Sequence, residues 1–174
     1  VEPSCGHPCT LVLDTLGAYA PHPTHRFAGS AVTRIGSVPA GLALIDDWKH
    51  QRTHLLAVID SATTAMLDFR PTPGVRTFAE QIDHIAGAAA LITSRAVAPK
   101  TPLPAGIAGD TARYLHDKAA LRAQTAAYLD YVIGALGSMS EADLMQDQPL
   151  FGGTMPRWRW NLTALQHSAW TLGQ

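Results

Sequence analysis

The sequence feature that most constrains the fold is a proline-rich turn that runs directly into a capped apolar helix. The segment is FRPTPGVRTFAEQIDHIAGAAA, residues 69–90. The two prolines and the glycine of its turn interrupt any preceding helix. Thr77 and Glu80 then match a T-x-x-E capping box, in which each side chain accepts a hydrogen bond from the other residue's backbone N–H. The sequence therefore predicts that a helix begins at this threonine.

Three other segments repeat apolar residues every three or four positions, which indicates amphipathic helices. The first of them starts at Leu42. Another is capped by Asp110 or Thr111, and the last follows Pro156, a residue that suits the first turn of a helix. No segment has a convincing strand pattern, and residues 137–153 are predicted to be a loop. Four helices with short connections predict an all-α four-helix bundle.

The last helix carries apolar residues on more than one face. Trp158 and Leu165 lie on one face, and Trp160 and Trp170 lie on a second. A helix that is apolar nearly all round is usually buried on several sides. We therefore expect both faces of this helix to be buried.

The two ends of the chain differ in pattern. Residues 1–41 scatter prolines, glycines and histidines without a sustained apolar period, which predicts an irregular N-terminal arm. Residues 42–174 form the predicted bundle. The helical pattern is unfinished at Gln174, which suggests a truncated C-terminal helix.

Composition excludes several classes of function. Hydrophobic residues make up 47% of the 174 residues and charged residues 16%, with a formal net charge of −1. Without a cluster of lysine and arginine there is no electrostatic case for binding nucleic acid or an anionic membrane. No run of about 18 apolar residues would span a bilayer, and the start does not resemble a signal peptide. We expect a cytoplasmic protein.

Two histidines lie on predicted helices that must share one core. His84 is on the second helix and His167 is on the fourth, with Thr171 one turn further along the same face. Bundles build metal sites from inward side chains on facing helices. A histidine on an apolar helix is more often a hydrogen-bonded core residue. From the spacing alone, a metal site and a pair of core histidines both remain open.

From about Leu42 to Gln174 the chain resembles the DinB/YfiT-like superfamily of four-helix-bundle proteins. The resemblance is carried by three segments, DFRPTPGVRTFAEQIDHIAGA, PLFGGTMPRW and HSAWTLGQ. Members typically bind a divalent metal, often zinc or nickel, through one histidine of the second helix and two of the fourth. The resemblance places His84 and His167 at two of these positions and Thr171 at the third.

Threonine departs from the family pattern, because its hydroxyl is a poor ligand beside imidazole, thiolate or carboxylate. His50 and His54 on the first helix, His116 on the third, and Glu80 remain open as replacements. Each of them is also well explained as a solvated helix residue.

The resemblance also implies a function. Characterised relatives include thiol-dependent S-transferases and isomerases that use low-molecular-weight thiols such as bacillithiol or mycothiol, and others are hydrolases. We therefore expect a metal-dependent enzyme that acts on a small molecule and pairs as a homodimer. The alternative is a non-enzymatic bundle that serves dimerisation or ligand binding without metal.

Overall fold

The computed structural model describes residues 40–105 and 115–173. Within these ranges the chain forms long helices α1, Ala40–Ser61; α2, Phe78–Ile92; α3, Lys118–Gly137; and α5, Arg157–Leu172. A short helix α4, Glu141–Leu144, and a hairpin of β1, Asp147–Leu150, and β2, Gly153–Pro156, connect α3 to α5. The predicted all-α bundle is confirmed. The predicted N-terminal arm lies outside the described residues, except for its last two residues, which belong to α1. Among the described helices, none combines the length and apolarity needed to cross a membrane.

The predicted start of α2 is confirmed in detail. The Thr77 N–H donates to Glu80 Oε2 at 2.6 Å, and the Glu80 N–H donates to Thr77 Oγ1 at 3.1 Å. The preceding turn is tied back onto the helix, since the Phe78 N–H donates to the carbonyl of Phe69 at 2.9 Å. Gly74 takes a φ of +90° in this turn, a conformation that a residue with a Cβ rarely adopts. The turn and the first residues of α2 therefore form one hydrogen-bonded unit.

The carboxyl end of α1 is held by the amino end of α3. Lys118 Nζ donates to the carbonyls of Asp60 and Ala62 at 2.7 and 2.6 Å, which places a cation at the negative end of the α1 dipole. Asp117 caps α3 by accepting from two backbone N–H groups. The sequence had predicted the cap at Asp110 or Thr111, which lie outside the described residues. The cap of the described helix is Asp117 instead, because this side chain lies where the backbone is still extended.

The segment predicted as a loop, residues 137–153, contains regular structure, so that prediction was wrong for residues 141–144, 147–150 and 153. The antiparallel pair β1–β2 turns at Phe151 and Gly152, both with positive φ, which matches the twist of a two-residue hairpin. Trp160 Nε1 donates to the carbonyl of Gln148 at 2.6 Å and fastens the hairpin to α5. The four-residue strands have no alternating apolar pattern, so backbone pairing and turn geometry create them rather than side-chain burial.

The core is mainly apolar on three helices and more polar on the fourth. Its largest fully buried side chains come mainly from α1, α2 and α3, and include Trp48, Leu55, Ile59, Ile82, Ile85, Leu121, Leu129 and Val132. By contrast α5 buries Arg157, Asn161, Ser168 and Thr171 beside Trp160 and Ala164. Both predicted faces of α5 contact the core, since Trp160 and Ala164 are buried and Trp158 and Leu165 are partly buried against it. The expected burial of Trp170 is wrong, because its side chain is 79% exposed.

We predict that stability depends on the apolar stripe of α3. Leu129 is fully buried, whereas Leu91, also inside a helix, is 38% exposed. Leu129→Ala should lower the free energy of unfolding by about 2–5 kcal/mol, because it removes buried apolar area and leaves a cavity. Leu91→Ala should cost less than about 1 kcal/mol. Urea unfolding followed by circular dichroism measures both, and equal losses would contradict this assignment of the core.

Candidate metal centre

The structure brings the two predicted histidines together. His84 lies two turns into α2 and His167 lies in the second half of α5, and their ring centroids are 5.0 Å apart with an angle of 72° between the ring planes. One turn away, Gln81 Nε2 donates to the carbonyl of Thr171 at 3.0 Å. The order of these contacts shows that the two helices run antiparallel here. The capping box sets where α2 begins, and this hydrogen bond sets its register against α5.

Both imidazoles lie in surroundings that favour the neutral ring. Partial burial lowers the pKa of His84, and the positive charges of Arg76 and of a protonated His167 lower it further. The pKa of His167 is lowered by burial first and by Arg76 second. At neutral pH each ring therefore keeps a nitrogen lone pair that can bind an electrophile. Nδ1 of His167 is buried and has no hydrogen-bond partner among the described residues.

The third predicted residue, Thr171, lies one helical turn from His167 and is buried, with 7% of its surface exposed. It lines a larger cavity, together with Gln81, whereas His84 lines a smaller neighbouring one. Its backbone carbonyl is already bound to Gln81. The structure thus places Thr171 one turn from His167, in the wall of the neighbouring cavity.

The four residues considered as replacements for Thr171 are placed elsewhere or already engaged. His50 and His54 are exposed on α1. His116 Nδ1 lies 2.7 Å from a carboxylate oxygen of Asp68 at the surface. Glu80 accepts the backbone hydrogen bond of the capping box. In the part of the chain that the structure describes, no group of three or more histidine, cysteine, aspartate or glutamate side chains could hold a metal.

Two cavities open on either side of the turn that precedes α2. The smaller has a volume of about 520 Å³ and contains His84 in its wall, and the larger has a volume of about 840 Å³. Gly74, Val75 and Arg76 line both. The turn therefore forms a partition between them, and His84 is reached from the smaller side.

A family model of the DinB superfamily matches residues 47–174. The chain belongs to the DinB superfamily. No curated protein matches it. The family membership predicted from the three sequence segments is thereby confirmed, and the match covers the four long helices apart from the first turns of α1.

The geometry of this DinB site fits two metal–imidazole bonds. With zinc–nitrogen bonds of about 2.0–2.1 Å, two imidazoles that share one ion have ring centres roughly 5–6 Å apart. The observed separation of 5.0 Å falls at the near end of this range. The unpaired, buried nitrogen of His167 is a suitable ligand atom. Two of the three ligand positions that the family implies are therefore compatible with a metal, and the third is not supplied by the described residues.

Sequence reasoning missed the part played by Arg76. This residue directly precedes the helix cap Thr77, so it lies close to the positive end of the α2 dipole. A cation is unfavourable at that end of a helix. This placement indicates that the charge of Arg76 has a role other than stabilising the helix. In the structure, the charge of Arg76 lowers the pKa of both histidines.

We predict that Arg76→Gln raises the pKa of both histidines in metal-free protein. The positive charge of Arg76 disfavours the protonated form of each ring. Without it, both histidines should titrate at higher pH. Burial remains, so neither pKa should exceed its ordinary value. Titration of the imidazole ring signals by NMR measures the effect. Arg159→Gln, an exposed arginine on α5 that lines neither cavity, is the control. Unchanged titration in Arg76→Gln would remove Arg76 from the site.

Proposed function

We propose that this DinB protein is a metal-dependent enzyme that uses His84 and His167 to bind a divalent ion, zinc or nickel, and acts on a small molecule. The observation that supports it is the pair of neutral imidazoles on facing helices, with ring centroids 5.0 Å apart, beside a cavity open to solvent. Helical bundles build metal sites from inward side chains on facing helices, and the two half-buried imidazoles are placed in this way. The reaction class we propose is a thiol-dependent S-transfer or a hydrolysis.

Each residue of the site has a separate task in this proposal. The bound ion would supply Lewis acidity, which lowers the pKa of a thiol or of water. His84 and His167 hold the ion through their lone pairs, and burial keeps those lone pairs free of protons. Arg76 strengthens this effect, because its charge opposes protonation of both rings. The smaller cavity lets a low-molecular-weight thiol or another substrate reach the pair from solvent.

A second function is supported by one observation. Thr171 occupies the position at which the family pattern has a third histidine, and two imidazoles hold zinc less firmly than three. A bundle that binds a small molecule without metal would need no third metal-binding residue and would catalyse no reaction. Metal content of protein purified without a histidine tag separates the two functions.

We predict that zinc affinity depends on both histidines. His84→Ala and His167→Ala should each weaken binding by at least about tenfold, because each removes a direct ligand. His54→Ala, which removes an exposed histidine from α1, should leave the affinity unchanged. The measurement is a competition titration against a chromophoric chelator. If wild-type protein failed to compete, or if His54→Ala had the same effect as His84→Ala, the proposed site would be wrong.

We also predict that Thr171→His raises zinc affinity. Imidazoles at positions i and i+4 lie on one face of a helix, and the larger cavity beside Thr171 leaves room for the ring. The gain should be about tenfold or more, since the change adds a third ligand. Ala169→His is the matched control, because Ala169 is exposed and lies on another face of α5. An equal affinity in Thr171→His and wild type would mean that position 171 does not face the ion.

A further inference from the structure

The larger cavity lies next to the proposed metal site and is lined mainly by apolar side chains. Its volume of about 840 Å³ lies within the range of small-molecule sites, which is roughly 300–1,000 Å³. The apolar residues that line it are Val58, Phe69, Pro71, Val75, Phe78, Ile82 and Leu172. The side chain of Phe69 is 60% exposed and that of Val75 is 43% exposed. An apolar wall this open to solvent is suited to an apolar ligand.

Arg76 is the charged residue among the described residues that line the larger cavity. The neighbouring Arg70 lies 3.8 Å from Glu80, which also accepts the backbone hydrogen bond of the capping box. Within residues 40–105 and 115–173, Arg76 forms no ion pair with a carboxylate. Its guanidinium is therefore available to an anion at the edge of an apolar space.

The smaller cavity sets a limit on the charge of that anion. Among the described residues, two cations, Arg70 and Arg76, line it together with two carboxylates, Glu80 and Asp83. A ligand with one negative charge brings no second charge near these carboxylates. A single carboxylate needs only one guanidinium, whose planar fork matches its two oxygens.

We propose that the natural ligand is a small apolar monocarboxylate. Its carboxylate binds Arg76 where the two cavities meet, and its apolar body lies in the larger cavity against Phe69 and Val75. Arg76 also lines the cavity of His84, so a group close to the carboxylate lies nearest the histidine pair. That this ligand is the substrate rests on the proposed function, whereas its binding does not.

The test uses the full chain, freed of metal by dialysis against a chelator, and two probes of the same shape. The first is 2-naphthoate and the second is its neutral amide, 2-naphthamide. Calorimetric titration should show binding of both, with the carboxylate tighter by about fivefold or more, which is the scale of a charge-assisted hydrogen bond. The preference should decrease at high salt, because Arg76 is exposed.

Two pairs of variants separate charge from apolar contact. Arg76→Gln should remove the preference for the carboxylate and leave binding of the amide unchanged, whereas Arg159→Gln should preserve the preference. Phe69→Ser should weaken both probes by a similar factor. Phe151→Ser is its control, since Phe151 is 68% exposed and lines neither cavity. All four changed side chains are exposed, so the fold should persist, and circular dichroism checks it.

Equal affinity for the two probes, a preference that survives in Arg76→Gln, or no binding below about 1 mM would overturn the proposal. The outcome is independent of metal. Zinc binding without naphthoate binding would leave the proposed metal-dependent function standing and would reject this class of ligand. Naphthoate binding by a chain that fails to bind zinc or nickel when these ions are added back would support the ligand site and reject the metal-dependent reaction.

Discussion

The packing of α2 against α5 is the constraint on which the candidate site depends. The two helices are antiparallel, with Gln81 bound to the carbonyl of Thr171 and His84 beside His167. α5 carries a partly polar stripe, in which Asn161 and Ser168 are fully buried. Nδ2 of Asn161 and Oγ of Ser168 have no hydrogen-bond partner among the described residues. An unsatisfied buried polar group costs about 1–3 kcal/mol. The apolar packing of α1, α2 and α3 must offset this cost.

A polar stripe on a helix that packs against a mainly apolar core is typical of a functional site. Natural sequences break the rules of core packing mainly at functional sites. One part of the stripe is satisfied, because Trp48 Nε1 donates to Asn161 Oδ1 at 3.3 Å and so connects α1 to α5. The remaining groups lie on the same helix as His167. The proposed site and the polar stripe therefore share one helix, α5.

Local signals predicted the parts of the fold that depend on few residues. The capping box of Thr77 and Glu80 is formed by neighbours in sequence, so its geometry follows from their spacing alone. The hairpin was missed, since its strands have no apolar alternation and are formed by backbone pairing across a two-residue turn. Trp170 was misassigned because a helical wheel counts apolar residues without knowing which face meets a neighbour. Trp170 lies on a part of α5 that meets no neighbour among the described residues, although Trp160 and Ala164 of the same predicted face are buried.

The amino-acid sequence by itself determined that the chain is an all-α member of the DinB superfamily, with α2 beginning at Thr77 and with His84 and His167 as the candidate pair. These results rest on periodicity, capping and short motifs, all of which are local. Only the tertiary structure decided that the two imidazoles meet, that Thr171 lines the neighbouring cavity, and that the charge of Arg76 lowers the pKa of both rings. Distances between side chains on different helices depend on how the helices cross and on their register, and no spacing along one chain segment records either quantity.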